Sequence, residues 1–221
     1  MFNELLFLIH VLVITMCTII AAKMGKEALI SNIALLCVLA NLFILKQITF
    51  FGLYPTASDA FSVGIIVGLN VLQEYFGKVV TKKAILICFF SLIMYTILSQ
   101  IHLIYEPNIY DFSSIHYKAL MQFMPRIAIA SISVILFVQA LNRMLFGFLK
   151  KKLHGKYFLL RNLITIVITQ LIDTVLFSFA SLYGVVSNIG DIIIISTTVK
   201  LAAIAIMVPL ISLIKPKKDT C

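Results

Sequence analysis

The sequence predicts an all-helical integral membrane protein, and three features lead to that prediction. Of its 221 residues, 62% are hydrophobic and only 12% are charged, whereas soluble domains average about 25% charged residues. Apolar runs of about 17–25 residues recur along the whole chain, which is the length a helix needs to cross the hydrocarbon core of a bilayer. Basic residues are concentrated in alternate intervals between these runs, as membrane topology requires.

Seven apolar runs are expected to form transmembrane helices, at about 4–22, 29–46, 59–77, 84–104, 119–142, 162–184 and 189–214. The third is the least apolar, because it contains two glycines and a polar group near its end. The intervals are short, so we expect one transmembrane domain over 1–221, with a core at about 29–214. The first run lacks the basic start of a signal peptide, so we interpret it as a retained helix.

The basic residues also predict the orientation of the chain. Fourteen of the 18 Lys and Arg residues lie in the intervals after spans 1, 3, 5 and 7, and only Lys46 and Lys118 lie in the others. Because cytoplasmic loops are enriched in basic residues, we expect the N-terminus outside and the C-terminus in the cytoplasm, in the inner membrane. The net charge of +9 therefore reflects topology and contact with membrane lipid, and no nucleic-acid partner is expected.

Ionisable side chains inside spans are costly and usually functional, and four stand out: Glu74, Arg126, Asp173 and Lys200. Asp173 lies eleven residues before the outer end of span 6, and Lys200 eleven residues after the outer start of span 7. At about 1.5 Å per residue, both lie about 16 Å deep, near the middle of the membrane. We expect them to be partners, either in a substrate site or as a structural ion pair.

The residues around Asp173 form one polar helix face. Gln170, Asp173, Thr174 and Phe177 are spaced by three or four residues, which places an amide, a carboxylate, a hydroxyl and an aromatic ring together. This combination suits a flat ligand that forms hydrogen bonds. The alternative is ordinary hydrogen bonding between helices.

Other polar residues are weaker candidates. In span 3, Asn70, Gln73 and Glu74 share a face, but Glu74 is close enough to the cytoplasmic end to snorkel to the interface. Arg126 follows Pro125 near the outer surface and could pair with a substrate, with Asp173 or with lipid headgroups. Asn41 lies near the outer end of span 2.

The sequence contains no recognisable enzyme motif. It lacks a P-loop, an HExxH pair and a GxSxG elbow, so we expect no enzyme, no ATPase within this chain, and no metal or other cofactor. The four cysteines are scattered without a CxxC pair. A homo-oligomer is compatible with the sequence.

Five blocks of residues, in order along the chain, carry a resemblance to a known family. They are Ala40–Asn41 with Lys46, Phe51–Leu53 and Thr56–Ser58; Asn70–Lys78 with Lys83–Ala84; Pro125–Ala128; Leu160–Asn162 with Gln170–Thr174, Phe177 and Leu182–Gly184; and Lys200. Together they resemble the queuosine precursor transporter family, also called the vitamin uptake transporter (YhhQ-type) family. The resemblance runs from about residue 35 to the end and implies a six-helix core preceded by an extra helix.

The resemblance implies uptake of a 7-deazaguanine precursor of the tRNA nucleoside queuosine: the cyano form (preQ0), the aminomethyl form (preQ1) or the base queuine. A carboxylate such as Asp173 or Glu74 would accept two N–H groups from the guanine-type edge. Lys200 or Arg126 would donate to the carbonyl oxygen, and Phe177 or Tyr183 would stack on the base. The expected substrate-binding set is Asp173, Lys200, Glu74, Arg126, Asn70, Gln73, Gln170, Asn41, Thr174 and Phe177.

Two positions depart from the family pattern. The family usually has an aspartate where this chain has Asn70, and an asparagine where it has Gln73. The missing carboxylate bears on proton coupling and on recognition of a cationic amine. Two further functions stay open: a substrate-capture subunit that uses an ATPase from other chains, and an intramembrane enzyme.

Overall fold

The computed structural model describes residues 2–152 and 158–211. Its helices, in chain order, are α1 (Phe2–Met24), α2 (Lys26–Leu42), α3 (Asp59–His102), α4 (Ser114–Met121), α5 (Met124–Lys152), α6 (Phe158–Phe177), which continues as a π-helical turn (Ser178–Leu182), and α7 (Ile189–Ile211). Four helical stretches in the described ranges are long and apolar enough to cross a membrane: Phe2–Met24, Asp59–His102, Ser114–Leu149 and Ile164–Leu182. The molecule is therefore a multi-pass helical membrane protein.

The third and fourth predicted spans follow each other without the expected loop, because α3 consists of two helical segments that meet at a kink at Gly77. The backbone departs from helical geometry within α3 only at Gly77, which has φ 85° and ψ 169°. Glycine adopts positive φ without a steric penalty, so it can interrupt the helix at a single residue. The basic residues after it, Lys78, Lys82 and Lys83, continue the helix instead of forming the expected interval.

The second predicted span also ends earlier than expected. Helix α2 stops at Leu42, and residues 43–58 form a loop held by two isolated β-bridges, Gln47 with Thr56 and Phe50 with Leu53. This loop is tied to the start of α7, because the Tyr54 backbone N–H donates to Asp191 Oδ2 at 3.0 Å. The α2–α3 loop and the α6–α7 loop therefore lie at the same end of the bundle, here called the loop end.

Close packing at two glycines sets the position of α3 against its neighbours. A Cβ atom on Gly68 would lie 2.6 Å from Cγ1 of Ile33 on α2, and one on Gly64 would overlap Ile14 on α1. Small residues four apart allow helices to approach closely in a membrane, where dispersion contacts replace the hydrophobic effect. Ile33 and the neighbouring Val67 are completely buried in this contact.

We predict that Gly68→Ala destabilises the protein by about 1–3 kcal/mol, because the added methyl group must displace Ile33 in a filled interface. The measurement is the midpoint of heat-induced loss of the monodisperse peak in detergent. Gly147→Ala is the matched control, since its added Cβ would meet nothing within 4 Å. A Gly68→Ala midpoint equal to that of Gly147→Ala would contradict the prediction.

Candidate functional site

An ion pair between α6 and α7 lies in the interior of the bundle. Lys200 Nζ donates to Asp173 Oδ2 at 3.1 Å and to Thr174 Oγ1 at 3.1 Å. The pairing expected from matched depth is therefore confirmed. The side chains of Lys200 and Asp173 are 12% and 21% exposed, so the pair is mostly buried but still partly accessible.

Thr174 has the geometry to serve as an acceptor for Lys200. Its own hydroxyl donates to the backbone carbonyl of Gln170 at 2.9 Å, one turn earlier on α6. The hydroxyl proton is then occupied within the helix, and the oxygen lone pairs face the ammonium group. The helix face predicted from the spacing of Gln170, Asp173 and Thr174 thus presents its carboxylate and hydroxyl together to α7.

A second carboxylate, Asp59, joins this group from α3. It is only 4% exposed, and its Oδ2 accepts a 2.7 Å hydrogen bond from Ser196, one turn before Lys200 on α7. Lys200 also interacts electrostatically with Asp59. Asp59, Asp173, Thr174, Ser196 and Lys200 are here called the Lys200 cluster, which connects α3, α6 and α7.

Sequence reasoning missed Asp59 because it is the first residue of the third span, where an acidic side chain at the interface is unremarkable. One signal was available: Thr56–Ser58, which belongs to the first block of the family resemblance, directly precedes it. In the structure this block is itself buried, and the hydroxyls of Thr56 and Ser58 are hydrogen-bonded at 2.8 Å. Buried polar groups therefore continue from the loop into the first turn of α3.

The polar face of span 3 lies elsewhere. Asn70 is half-buried and Gln73 and Glu74 are exposed, and among the described contacts none of the three reaches Asp173 or Lys200. Glu74 follows Asp59 by fifteen residues of uninterrupted helix, which separates them by about 22 Å along the axis. These residues form a second polar region, next to the helix break at Gly77.

Arg126 binds the backbone that follows α6. Its Nε donates to the carbonyl of Ala180 at 3.0 Å, and its Nη2 donates to that of Tyr183 at 2.8 Å. These carbonyls lie at the end of the π-helical turn, where helix termini leave acceptors without intrahelical partners. In this structure Arg126 therefore caps the end of α6 rather than pairing with Asp173.

Asn41 and Phe177 have neighbours of their own. Asn41 is buried, donates to the Cys37 carbonyl at 2.7 Å and accepts from Ser131 Oγ at 2.9 Å, so it links α2 to α5. Phe177 is half-buried against an apolar cluster that includes Met124 and Leu182. Phe177 thus lies one turn beyond Asp173 on the same helix, at the edge of the Lys200 cluster.

A cavity of about 290 Å³ opens at the loop end, between α1, the end of α2 and the start of α3. Its polar lining comes from Asn3, His10 and Lys46, and its aromatic lining from Phe7, Phe43 and Phe61. The rings of Phe43 and Phe61 are stacked with centroids 5.7 Å apart. The cavity adjoins the first turn of α3, two residues from Asp59.

Comparison with known proteins gives the family of the chain. Residues 61–214, which include most of the Lys200 cluster, match the model of a family described as putative vitamin uptake transporter. The chain is also 29% identical over 162 residues to a probable queuosine precursor transporter of Bacillus subtilis (strain 168), an alignment covering 73% of this chain and 71% of that protein. No solved structure matches. This chain therefore belongs to the vitamin uptake transporter family.

Proposed function

We propose that this protein imports a 7-deazaguanine precursor of queuosine across the cytoplasmic membrane and recognises the base at the Lys200 cluster. The name of the Bacillus subtilis relative supports the substrate class. The observation that carries the proposal is the shielded but accessible ion pair of Asp173 and Lys200, supported by Thr174. A transporter of a polar base needs polar groups inside the membrane to bind it. Charged side chains at this depth are costly, and those that are retained usually line a substrate or ion pathway.

The geometry leaves Asp173 able to bind a guanine-type edge. Lys200 engages Oδ2, and among the described contacts Oδ1 receives no hydrogen bond. One ring N–H and the exocyclic amine of the substrate would approach the carboxylate together, as a charge-assisted bidentate pair. Lys200 would then donate to the carbonyl oxygen of the base, and Phe177 would supply a stacking surface one turn away.

The polar region at Asn70, Gln73 and Glu74 is proposed as a second contact along the path. Its far member, Glu74, lies about 22 Å from Asp59 along α3, so one molecule of base cannot touch Asp59 and Glu74 at once. Transport by alternating access requires the substrate to leave the Lys200 cluster toward the other membrane face. Exposed Glu74 is suited to receive it there.

We also propose seven spans in a single domain over 1–221, with the core at about 29–214, the N-terminus outside and the C-terminus in the cytoplasm. The break at Gly77 divides α3 into 59–76 and 78–102, and each part is long enough to cross the hydrocarbon core. The alternation of basic intervals supports this orientation. The loop end would then face outward.

Two alternative functions predict different experimental results. A substrate-capture subunit would copurify with an ATPase from other chains, since no P-loop is present in this sequence. An intramembrane enzyme would release a chemically altered base. We favour simple uptake, because the Lys200 cluster has the charges to bind a base but has no metal spacing or nucleophile–base pair among its five residues.

The first prediction from this proposal concerns the substrate. A bacterial host that cannot make the precursors and lacks its own transporter should regain queuosine in its tRNA when it expresses this protein and is given a precursor at low concentration. Queuosine is measured by mass spectrometry of digested tRNA, with the empty vector as the control. Failure of every precursor to restore queuosine would rule out the proposed substrate class.

The second prediction concerns topology. In a variant without native cysteines, Asn108→Cys should react with a membrane-impermeant maleimide in intact cells, and Lys151→Cys should react only after permeabilisation. Both positions are exposed. Lys217 is also expected in the cytoplasm, but it lies outside the described residues. Labelling at position 151 from outside intact cells would overturn the seven-span arrangement.

The third prediction concerns Asp173. Asp173→Asn keeps the size of the side chain but removes the charge-assisted acceptor, so substrate affinity should fall by roughly 10- to 150-fold. Uptake is measured as a function of precursor concentration. Glu106→Gln, which removes an exposed carboxylate from a loop, is the control and should leave the affinity unchanged.

A double variant separates recognition from scaffolding. If Asp173 serves only to neutralise Lys200, then Asp173→Asn combined with Lys200→Met removes both charges and should recover most of the lost uptake. If Asp173 binds substrate, the double variant stays defective. Recovery with an affinity near that of the original protein would show that the ion pair is structural.

A further inference from the structure

The Lys200 cluster contains two carboxylates but only one cation. Lys200 forms its short contacts with Asp173 and Thr174 on α6. Asp59 receives a hydrogen bond from neutral Ser196 and only a longer-range electrostatic interaction from Lys200. With both acids ionised the cluster carries one net negative charge, which is costly in a low-dielectric interior.

No other described cation compensates Asp59. On the neighbouring elements, His10 of α1 packs against the ring of Phe61, Lys46 lines the cavity at the loop end, and Arg126 of α5 is engaged with carbonyls after α6. Asp191 of α7 adds a negative charge, held by the Tyr54 N–H and the Asn188 amide. Among the described residues, Asp59 therefore has no cation that directly neutralises its carboxylate.

Two local features favour the ionised form of Asp59. The Ser196 hydroxyl donates to it at 2.7 Å, and hydrogen bonds to a carboxylate stabilise its charge. Asp59 is also the first residue of α3, where the helix dipole favours an anion. These two features oppose the cost of burying the charge of Asp59, and an entering cation would reduce that cost further.

We propose that Asp59 binds the ammonium group of a cationic substrate and makes the transporter prefer the aminomethyl precursor to the neutral cyano precursor. This inference rests on the proposed uptake of 7-deazaguanines. The aminomethyl group is an alkyl amine, charged at neutral pH like the lysine side chain, whose pKa is about 10. In the bound state Asp173 would hold the guanine-type edge and Asp59 the ammonium group, so each carboxylate has a positive or donor partner.

The test compares uptake of the two precursors, each offered alone and then in competition, in cells that express the protein. For the original protein we expect the aminomethyl form to have the higher specificity constant. Asp59→Asn should lower the ratio of the two specificity constants by at least about tenfold, since one charge-assisted contact is lost for the cation only. Asp59→Glu, which keeps the charge, should retain part of the preference.

Two controls make the ratio informative. Asp191→Asn removes a similarly buried first-turn acid from α7 and should leave the ratio unchanged. Uptake of the neutral precursor by Asp59→Asn shows whether that variant is folded and inserted. If Asp59→Asn is not produced in the membrane, Ser196→Ala, which removes the hydrogen bond to Asp59, should lower the same ratio by a smaller factor.

The outcomes distinguish this inference from the proposed function. Uptake of either precursor with a ratio that Asp59→Asn leaves unchanged would overturn the role of Asp59 and leave the transporter assignment intact. A second outcome is that uptake of the neutral precursor rises between pH 8 and pH 6, and that Asp59→Asn abolishes this pH dependence. Asp59 would then be neutralised by a proton rather than by an ammonium group, which also overturns the proposed preference. Uptake of neither precursor by the original protein would reject both proposals together.

Discussion

The ammonium group of Lys200 lies at the centre of the polar contacts that connect α3, α6 and α7. A lysine in the middle of a membrane helix costs at least about 2.5–3.5 kcal/mol unless it is paired, and here its hydrogen-bond partners come from α6. Through Ser196, the same face of α7 also holds Asp59 of α3. Helix α3 and the sequence-distant pair of α6 and α7 are therefore held together by polar contacts, since lipid supplies no hydrophobic force between them.

The other half of the bundle depends on shape rather than charge. Gly64 and Gly68 allow α3 to pack directly against the side chains of Ile14 on α1 and Ile33 on α2. This contact sets the direction of the first part of α3 and hence the place where Asp59 enters the interior. The apolar packing and the Lys200 cluster thus share one helix, and a displacement of α3 would disturb both.

The loop end is closed by hydrogen bonds between chain segments. Gln47 Oε1 accepts from the backbone N–H and the hydroxyl of Ser187, and Asp191 accepts from the Tyr54 N–H. These contacts connect the α2–α3 loop to the α6–α7 loop above the Lys200 cluster. A substrate that enters the cluster from this end must therefore separate two loops, whose bonds are few and of ordinary strength.

Apolar run length, the spacing of polar residues and the alternation of basic intervals were sufficient to predict a helical membrane protein, and to place Asp173 and Lys200 at matching depth. These features are readable because the bilayer imposes a length and a cost on every segment. The shared face of Asp173 and Thr174 followed from helical periodicity, and the pairing of Asp173 with Lys200 followed from their matched depth on either side of one short loop. The sequence also contains the family blocks, whose resemblance agrees with the family match.

Only the tertiary structure decided which of the remaining polar residues lie together. Asp59 joined the cluster, Arg126 was placed on the carbonyls that end the π-helical turn, and Asn41 was bound between α2 and α5. Helical periodicity assigns a residue to a face of its own helix, but it does not say which helix that face meets. That choice depends on packing between segments far apart in the chain, set here by the close approach at Gly64 and Gly68 and by the hydrogen bonds of Lys200 to α6 and of Ser196 to Asp59.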